Sequence, residues 1–127
     1  LAAIDTNVLV RLVTRDDPGQ YRKALAFVNR HQPVLVTSLS ILELAWVLAS
    51  RYGHRKDKVL QVVRMLLDMQ ELDIQQAGVL EGALATWAAS RADFADCLIL
   101  ETVRAASALP LGTFDRSLGR LEGCQSL

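Results

Sequence analysis

Five carboxylates occupy surroundings unlike those of ordinary solvated acids: Asp5, Glu43, Asp93, Asp96 and Asp115. Glu43 is the only charge in LSILELAWVLA, residues 39–49, a stretch that reads as a helix apolar nearly all round. A carboxylate buried there without a partner is strongly unfavourable, so a basic side chain or a metal ion must compensate it. Asp96 repeats the pattern inside FADCLIL, residues 94–100, with Asp93 three positions earlier on the same helical face. Asp93 also has the type and place of an N-cap, and the helix dipole favours acids in a first turn. Asp5 and Asp115 each follow an apolar run that reads as a strand, where an Asp commonly caps or turns the chain. Like charges gathered in one pocket repel and raise each other's pKa, and a hard divalent cation relieves that repulsion. An oxygen-only set without histidine points to Mg²⁺ or Mn²⁺ rather than zinc.

Other chemistry is sparse. Asp16, Asp17, Asp57, Asp68, Glu71, Asp73, Glu81 and Glu122 read as solvated acids in turns, at helix ends or on polar faces. His31 and His54 fall at a helix end and in a turn, and read as solvated. There is no HExxH, GxSxG, Walker loop or GxGxxG. Cys97 reads as packing, and Trp46 and Trp87 as core. The basic run Arg51, Arg55, Lys56 and Lys58 reads as a solvated helix end, with Arg11, Arg91 and Arg116 equally placed to meet an anion.

The elements that must position these acids follow from periodicity. Residues 1–4, 33–37, 72–74 and 109–114 read as strands. Helices are expected over 8–14, 21–30, 39–52, 57–69, 76–90 and 93–107, with Ser38 or Ser40 capping the third and Gly53 ending it. Strands alternating with helices give an α/β domain with a mainly parallel sheet, whose sites form beyond the carboxyl ends of the strands.

At 127 residues with 51% hydrophobic content, the chain suits a single domain with one core and is not disordered. Fourteen Lys and Arg balance fourteen Asp and Glu, so indiscriminate attraction to a polyanion is excluded and nucleic acid would need a local patch or a metal. Two cysteines outside any CxxC suit a reduced, cytoplasmic setting. No apolar run is long enough to span a membrane, and Asp5 interrupts any signal-peptide pattern.

The segments AIDTNVLV (3–10), SLSILEL (38–44), DFADCLI (93–99) and TFDRSL (113–118) resemble the four acidic motifs of PIN-domain nucleases, in order and with gaps of 38, 53 and 19 residues between the acids. Within that family the chain is similar to VapC-type toxins of toxin–antitoxin pairs. The resemblance implies a three-layer α/β fold, a mainly parallel central sheet flanked by helices, as one PIN domain over residues 1–127. It implies an endoribonuclease that hydrolyses RNA phosphodiesters, leaves a 3′-hydroxyl and depends on one or two Mg²⁺ or Mn²⁺ ions. Asp5, Glu43, Asp96 and Asp115 would be catalytic metal holders, Asp5 and Asp96 the most direct, with Asp93 a fifth acid. Thr6, Asn7, Ser38 and Thr113 would orient those ligands from behind. A cognate antitoxin protein and a homodimer are implied as partners.

Three rivals are weighed against this. A receiver domain would need a distal Lys, and none lies beyond Lys58. A haloacid-dehalogenase-type phosphatase would need Asp-x-Asp, where this chain has Asp5-Thr6-Asn7. The remaining alternative is a non-catalytic PIN-fold binding module, which the intact acids disfavour.

Overall fold

The computed structural model describes residues 1–127 and divides into two units, Leu1–Gln76 and Ala77–Leu127. The first unit holds helices α1 (Thr6–Thr14), α2 (Pro18–His31), α3 (Ser38–Ser50) and α4 (Lys56–Leu67), with strands β1 (Val34–Val36) and β2 (Leu72–Ile74). Asp5 caps α1, and Arg15 ends it in the left-handed region at φ 54°, its N–H returning to the Arg11 carbonyl. Asp17 caps α2, which opens on Pro18, where a missing N–H costs nothing.

β1 and β2 pair in parallel, Val34 opposite Leu72 and Val36 opposite Ile74. Both strands alternate buried, exposed, buried, so their valines, Leu72 and Ile74 face the core. The expected first strand is reduced to one parallel bridge from Ala3 to Leu35, fixed by Ile4 N–H to the Leu35 carbonyl at 3.1 Å and Leu35 N–H to the Ala2 carbonyl at 2.9 Å. The helices add Leu9, Val28, Ile41, Leu44, Leu48, Val59, Val63 and Leu66 to the same interior.

The second unit holds α5 (Ala77–Ala88), α6 (Phe94–Ala105), β3 (Leu111–Thr113), α7 (Arg116–Gly119) and β4 (Cys124–Ser126). α5 packs lengthwise on α6, burying Leu80, Ala83 and Leu84 against Phe94, Cys97 and Leu100. β3 and β4 are again parallel, Leu111 opposite Cys124. Every strand pairing is parallel, and the mixed α/β architecture is the one the sequence pattern predicts.

Several details differ from expectation. α3 is capped by Thr37, whose Oγ1 accepts from Ser40 N–H at 3.1 Å, because the chain leaves β1 extended at Thr37 and turns there; neither Ser38 nor Ser40 is the cap. α7 and β4 had no sequence signal: a four-residue helix shows no period, and Cys124-Gln125-Ser126 carries no β-branched residue. The largest correction concerns α3. It is not buried all round: Leu39 and Trp46 are each 63% exposed, and Glu43 is exposed between them. Trp46 is therefore not a core residue, whereas Trp87 is half-buried and stacks on Phe94 at 5.0 Å.

Candidate functional site

Helix capping sets the direction of three of the five singled-out acids. Asp5, Asp93 and Asp115 are the N-caps of α1, α6 and α7. Each accepts through Oδ1 from the N–H three residues on: Val8 at 3.1 Å, Asp96 at 2.8 Å and Leu118 at 2.8 Å. Such a bond fixes the carboxyl while occupying one of its two oxygens. Capping alone does not mark a site, since Asp17 caps α2 in the same way through Gln20 N–H.

In the first unit, α1 packs on α3 and brings Thr6, the residue after Asp5, to Glu43. Thr6 Oγ1 donates to Glu43 Oε1 at 2.9 Å, so the residue after the Asp5 cap holds the acid of the second motif. The partner seen for Glu43 is the Thr6 hydroxyl, whereas Arg11 pairs with Asp16 and Arg104 with Glu101. Exposure to water, with the Thr6 hydroxyl, is what compensates the Glu43 charge. Asn7 is exposed in the first turn of α1, on the rim of a cavity it shares with Asp5. Ser38 turns elsewhere: its Oγ donates to Gln76 Oε1 at 3.2 Å and its N–H to Gln75 Oε1 at 3.3 Å.

In the second unit, Asp96 lies near enough to Asp93 and Asp115 to sense their charges. Asp96 is half-buried, and its pKa is raised above the ordinary carboxylate value, first by burial and then by the charges of Asp93 and Asp115. Thr113 Oγ1 accepts from the Asp115 N–H at 3.0 Å, so Thr113 fixes the backbone from which Asp115 caps α7. In neither unit do three Asp, Glu, His or Cys side chains stand close enough to enclose a metal ion.

Two acids with strong partners were missed in the sequence. Asp16, assigned to solvent, accepts from Tyr52 Oη at 2.7 Å, Thr14 Oγ1 at 2.7 Å and Arg11 Nη1 at 2.9 Å. These bonds, that from Tyr52 foremost, lower its pKa to about 2. Glu101 accepts from Thr86 Oγ1 at 3.2 Å and from Arg104 Nε at 3.3 Å. Both networks tie elements together; Arg104, Thr14 and Arg11 are local partners, but the contacts from Tyr52 and Thr86 had no local sequence signal, because those residues lie 36 and 15 positions away. The basic residues Arg51, Arg55, Lys56 and Lys58 are exposed around the α3–α4 connection.

The PIN domain family model matches residues 2–123, and the chain belongs to the PIN domain family. No curated protein and no solved structure matches it. The PIN domain is a nuclease fold, and its members are typically metal-dependent nucleases that use Mg²⁺ or Mn²⁺. No helix is long and apolar enough to cross a membrane.

Proposed function

We propose that the chain is an Mg²⁺- or Mn²⁺-dependent endoribonuclease, a single PIN domain over residues 1–127, and the toxin of a VapC-type toxin–antitoxin pair acting in the cytoplasm. The observation that carries this reading is the family match, which runs through all four acidic segments. In this reading Asp5, Glu43, Asp96 and Asp115 hold one or two cations, with Asp93 as a fifth carboxylate and Thr6, Asn7, Ser38 and Thr113 as positioning residues. The donor chemistry fits: every group is a hard oxygen, which suits Mg²⁺ and Mn²⁺. The pKa of Asp96 is raised first by burial and then by the charges of Asp93 and Asp115, and a cation would relieve the repulsion among them.

When bound, such ions neutralise a phosphodiester and make water a usable nucleophile at neutral pH. The chain's own residues supply orientation. Val8 and Leu118 N–H groups anchor one oxygen each of Asp5 and Asp115, leaving the second to face a ligand. Thr6 does the same for Glu43. A carboxylate held in this way can accept the proton of an attacking water. Leu39 and Trp46, exposed on α3, support a surface reserved for a twin subunit or an antitoxin.

The test is direct. Purified protein should cleave RNA with Mg²⁺ or Mn²⁺, leave 3′-hydroxyl ends and stop on chelation. Expression alone should arrest bacterial growth, and coexpression of the adjacent small gene should restore it. Tight RNA binding with no cleavage under any divalent cation would instead establish a binding module.

A further inference from the structure

The segment leading to Asp5, with α1 and α2, surrounds a cavity of about 600 Å³. Gln20, Lys23 and Phe27 line it from α2 at positions i, i+3 and i+7, which places them on one face of that helix. Asn7 and Arg11, four residues apart on α1, line it from the other side, and Asp5 stands among the lining residues. Arg11 is held in place: its Nε donates to Gln20 Oε1 at 2.6 Å and its Nη1 to Asp16 Oδ1 at 2.9 Å. Lys23 is exposed and belongs to neither ion pair of the chain. Phe27 is 40% exposed, with its ring 4.6 Å from that of His31.

An unpaired ammonium and an exposed ring, four residues apart on α2, beside a carboxylate of the candidate site, match one kind of ligand. We propose that this cavity holds the nucleotide adjoining the scissile phosphate of a single-stranded RNA. Lys23 meets its phosphate, Phe27 stacks on its base, and the Gln20 amide, braced by Arg11, presents its remaining N–H groups to the base edge. The inference rests on the nuclease reading at one point, that the reacting phosphate lies at Asp5. The cavity falls within the roughly 300–1,000 Å³ range of small-molecule sites. A cation joined to an aromatic platform is the combination by which proteins hold unpaired strands, since every base has a π-face. A base within a duplex is already stacked and cannot enter.

The experiment separates this inference from the reading beneath it. In chelator, where no cleavage occurs, a four-nucleotide oligouridylate is titrated into the whole chain and followed by amide NMR. Shifts should concentrate at Asn7, Arg11, Gln20, Lys23 and Phe27. Lys23→Gln and Phe27→Leu should each weaken binding about tenfold, the order expected for loss of one stacked base or one phosphate contact. Lys23→Arg should restore binding, and Lys23→Gln should lower the dependence on salt. With Mg²⁺ or Mn²⁺, the same two variants should raise KM while kcat stays near that of the parent. Parental affinity in both variants, or shifts located away from the cavity, would overturn the inference even if the protein cleaves RNA. Absence of cleavage with intact binding at the cavity would overturn the nuclease reading and leave a nucleotide site.

Discussion

Thr6 and Glu43 meet through a 2.9 Å hydrogen bond that spans 37 residues of sequence and joins the first acidic motif to the second. The bond places the second acid by means of the residue that follows the first. Because it lies at an exposed position, it contributes to orientation more than to stability. Thr6→Val and Glu43→Gln should each change unfolding free energy by no more than about 0.5 kcal/mol, the usual range for surface substitutions. Denaturant titration checks this. Both should nevertheless depress cleavage, and their double-mutant cycle should show coupling in kcat/KM. A large gain in stability for Glu43→Gln would mean that Glu43 is buried, contrary to its exposure.

Asp5 and Asp115 serve as helix caps as well as candidate metal holders, and two substitutions separate the roles. Asp5→Ala should lose cleavage and about 1 kcal/mol of stability, the usual value of a cap. Asp5→Asn keeps an acceptor for Val8 N–H and should lose cleavage at nearly parental stability. Asp115→Asn should behave likewise through Leu118 N–H. Thermal melts beside an RNA cleavage assay distinguish the two effects, and an Asp5→Asn variant as active as the parent would remove Asp5 from the site.

Divalent cations should stabilise the folded chain. Mg²⁺ or Mn²⁺ at about a hundred times its dissociation constant should add about 2.7 kcal/mol by mass action. Asp96→Ala should abolish most of that increment together with cleavage. The raised pKa of Asp96 sets a second expectation: in chelator its negative charge disfavours folding once pH rises above the ordinary carboxylate value of 3.8, so Asp96→Asn should be more stable than the parent at neutral pH. Calorimetry with and without cation reads both.

Asp16 gives a pH dependence of opposite sign. Its pKa is lowered from 3.8 to about 2, chiefly by the Tyr52 hydroxyl and then by Thr14, with Arg11 adding to it. The folded state therefore gains stability from the ionised form above about pH 4, and loses it as pH falls through about 2. Tyr52→Phe should be less stable than the parent at neutral pH, and the difference should narrow across that acidic window. A difference that is constant with pH would show that Tyr52 acts by packing instead.

The sequence made the acidic segments and most elements legible for physical reasons that can be named. An Asp just before a helical period announces a cap, as Asp93 does for α6, and Asp5 and Asp115, each read as a cap or turn after an apolar run, cap α1 and α7. The stripe Val59, Leu60, Val63, Leu66 and Leu67 announces the inner face of α4; the first four are buried and Leu67 is half-buried. Glu43 shows where such reasoning fails. Apolar residues all round a helix argue for burial, yet a surface can be as apolar as a core, and Leu39 and Trp46 lie open. Asp16 shows the other failure: its partner Tyr52 arrives from the end of α3, and no local spacing reveals a contact made by tertiary packing.

The parallel pairing of every strand also bears on how the chain folds. Ala3 waits for Leu35, and Val34 for Leu72, so no strand can close on its neighbour in sequence through a simple hairpin. A chain emerging from the ribosome can form α1, α2 and α3 before β1 has its partner β2. Loop closure must precede that contact, so sheet assembly should be slow beside helix formation. Until Leu72–Ile74 is synthesised, β1 has the Ala3–Leu35 bridge as its one strand contact, so the sheet behind the first two acids should be completed late in synthesis.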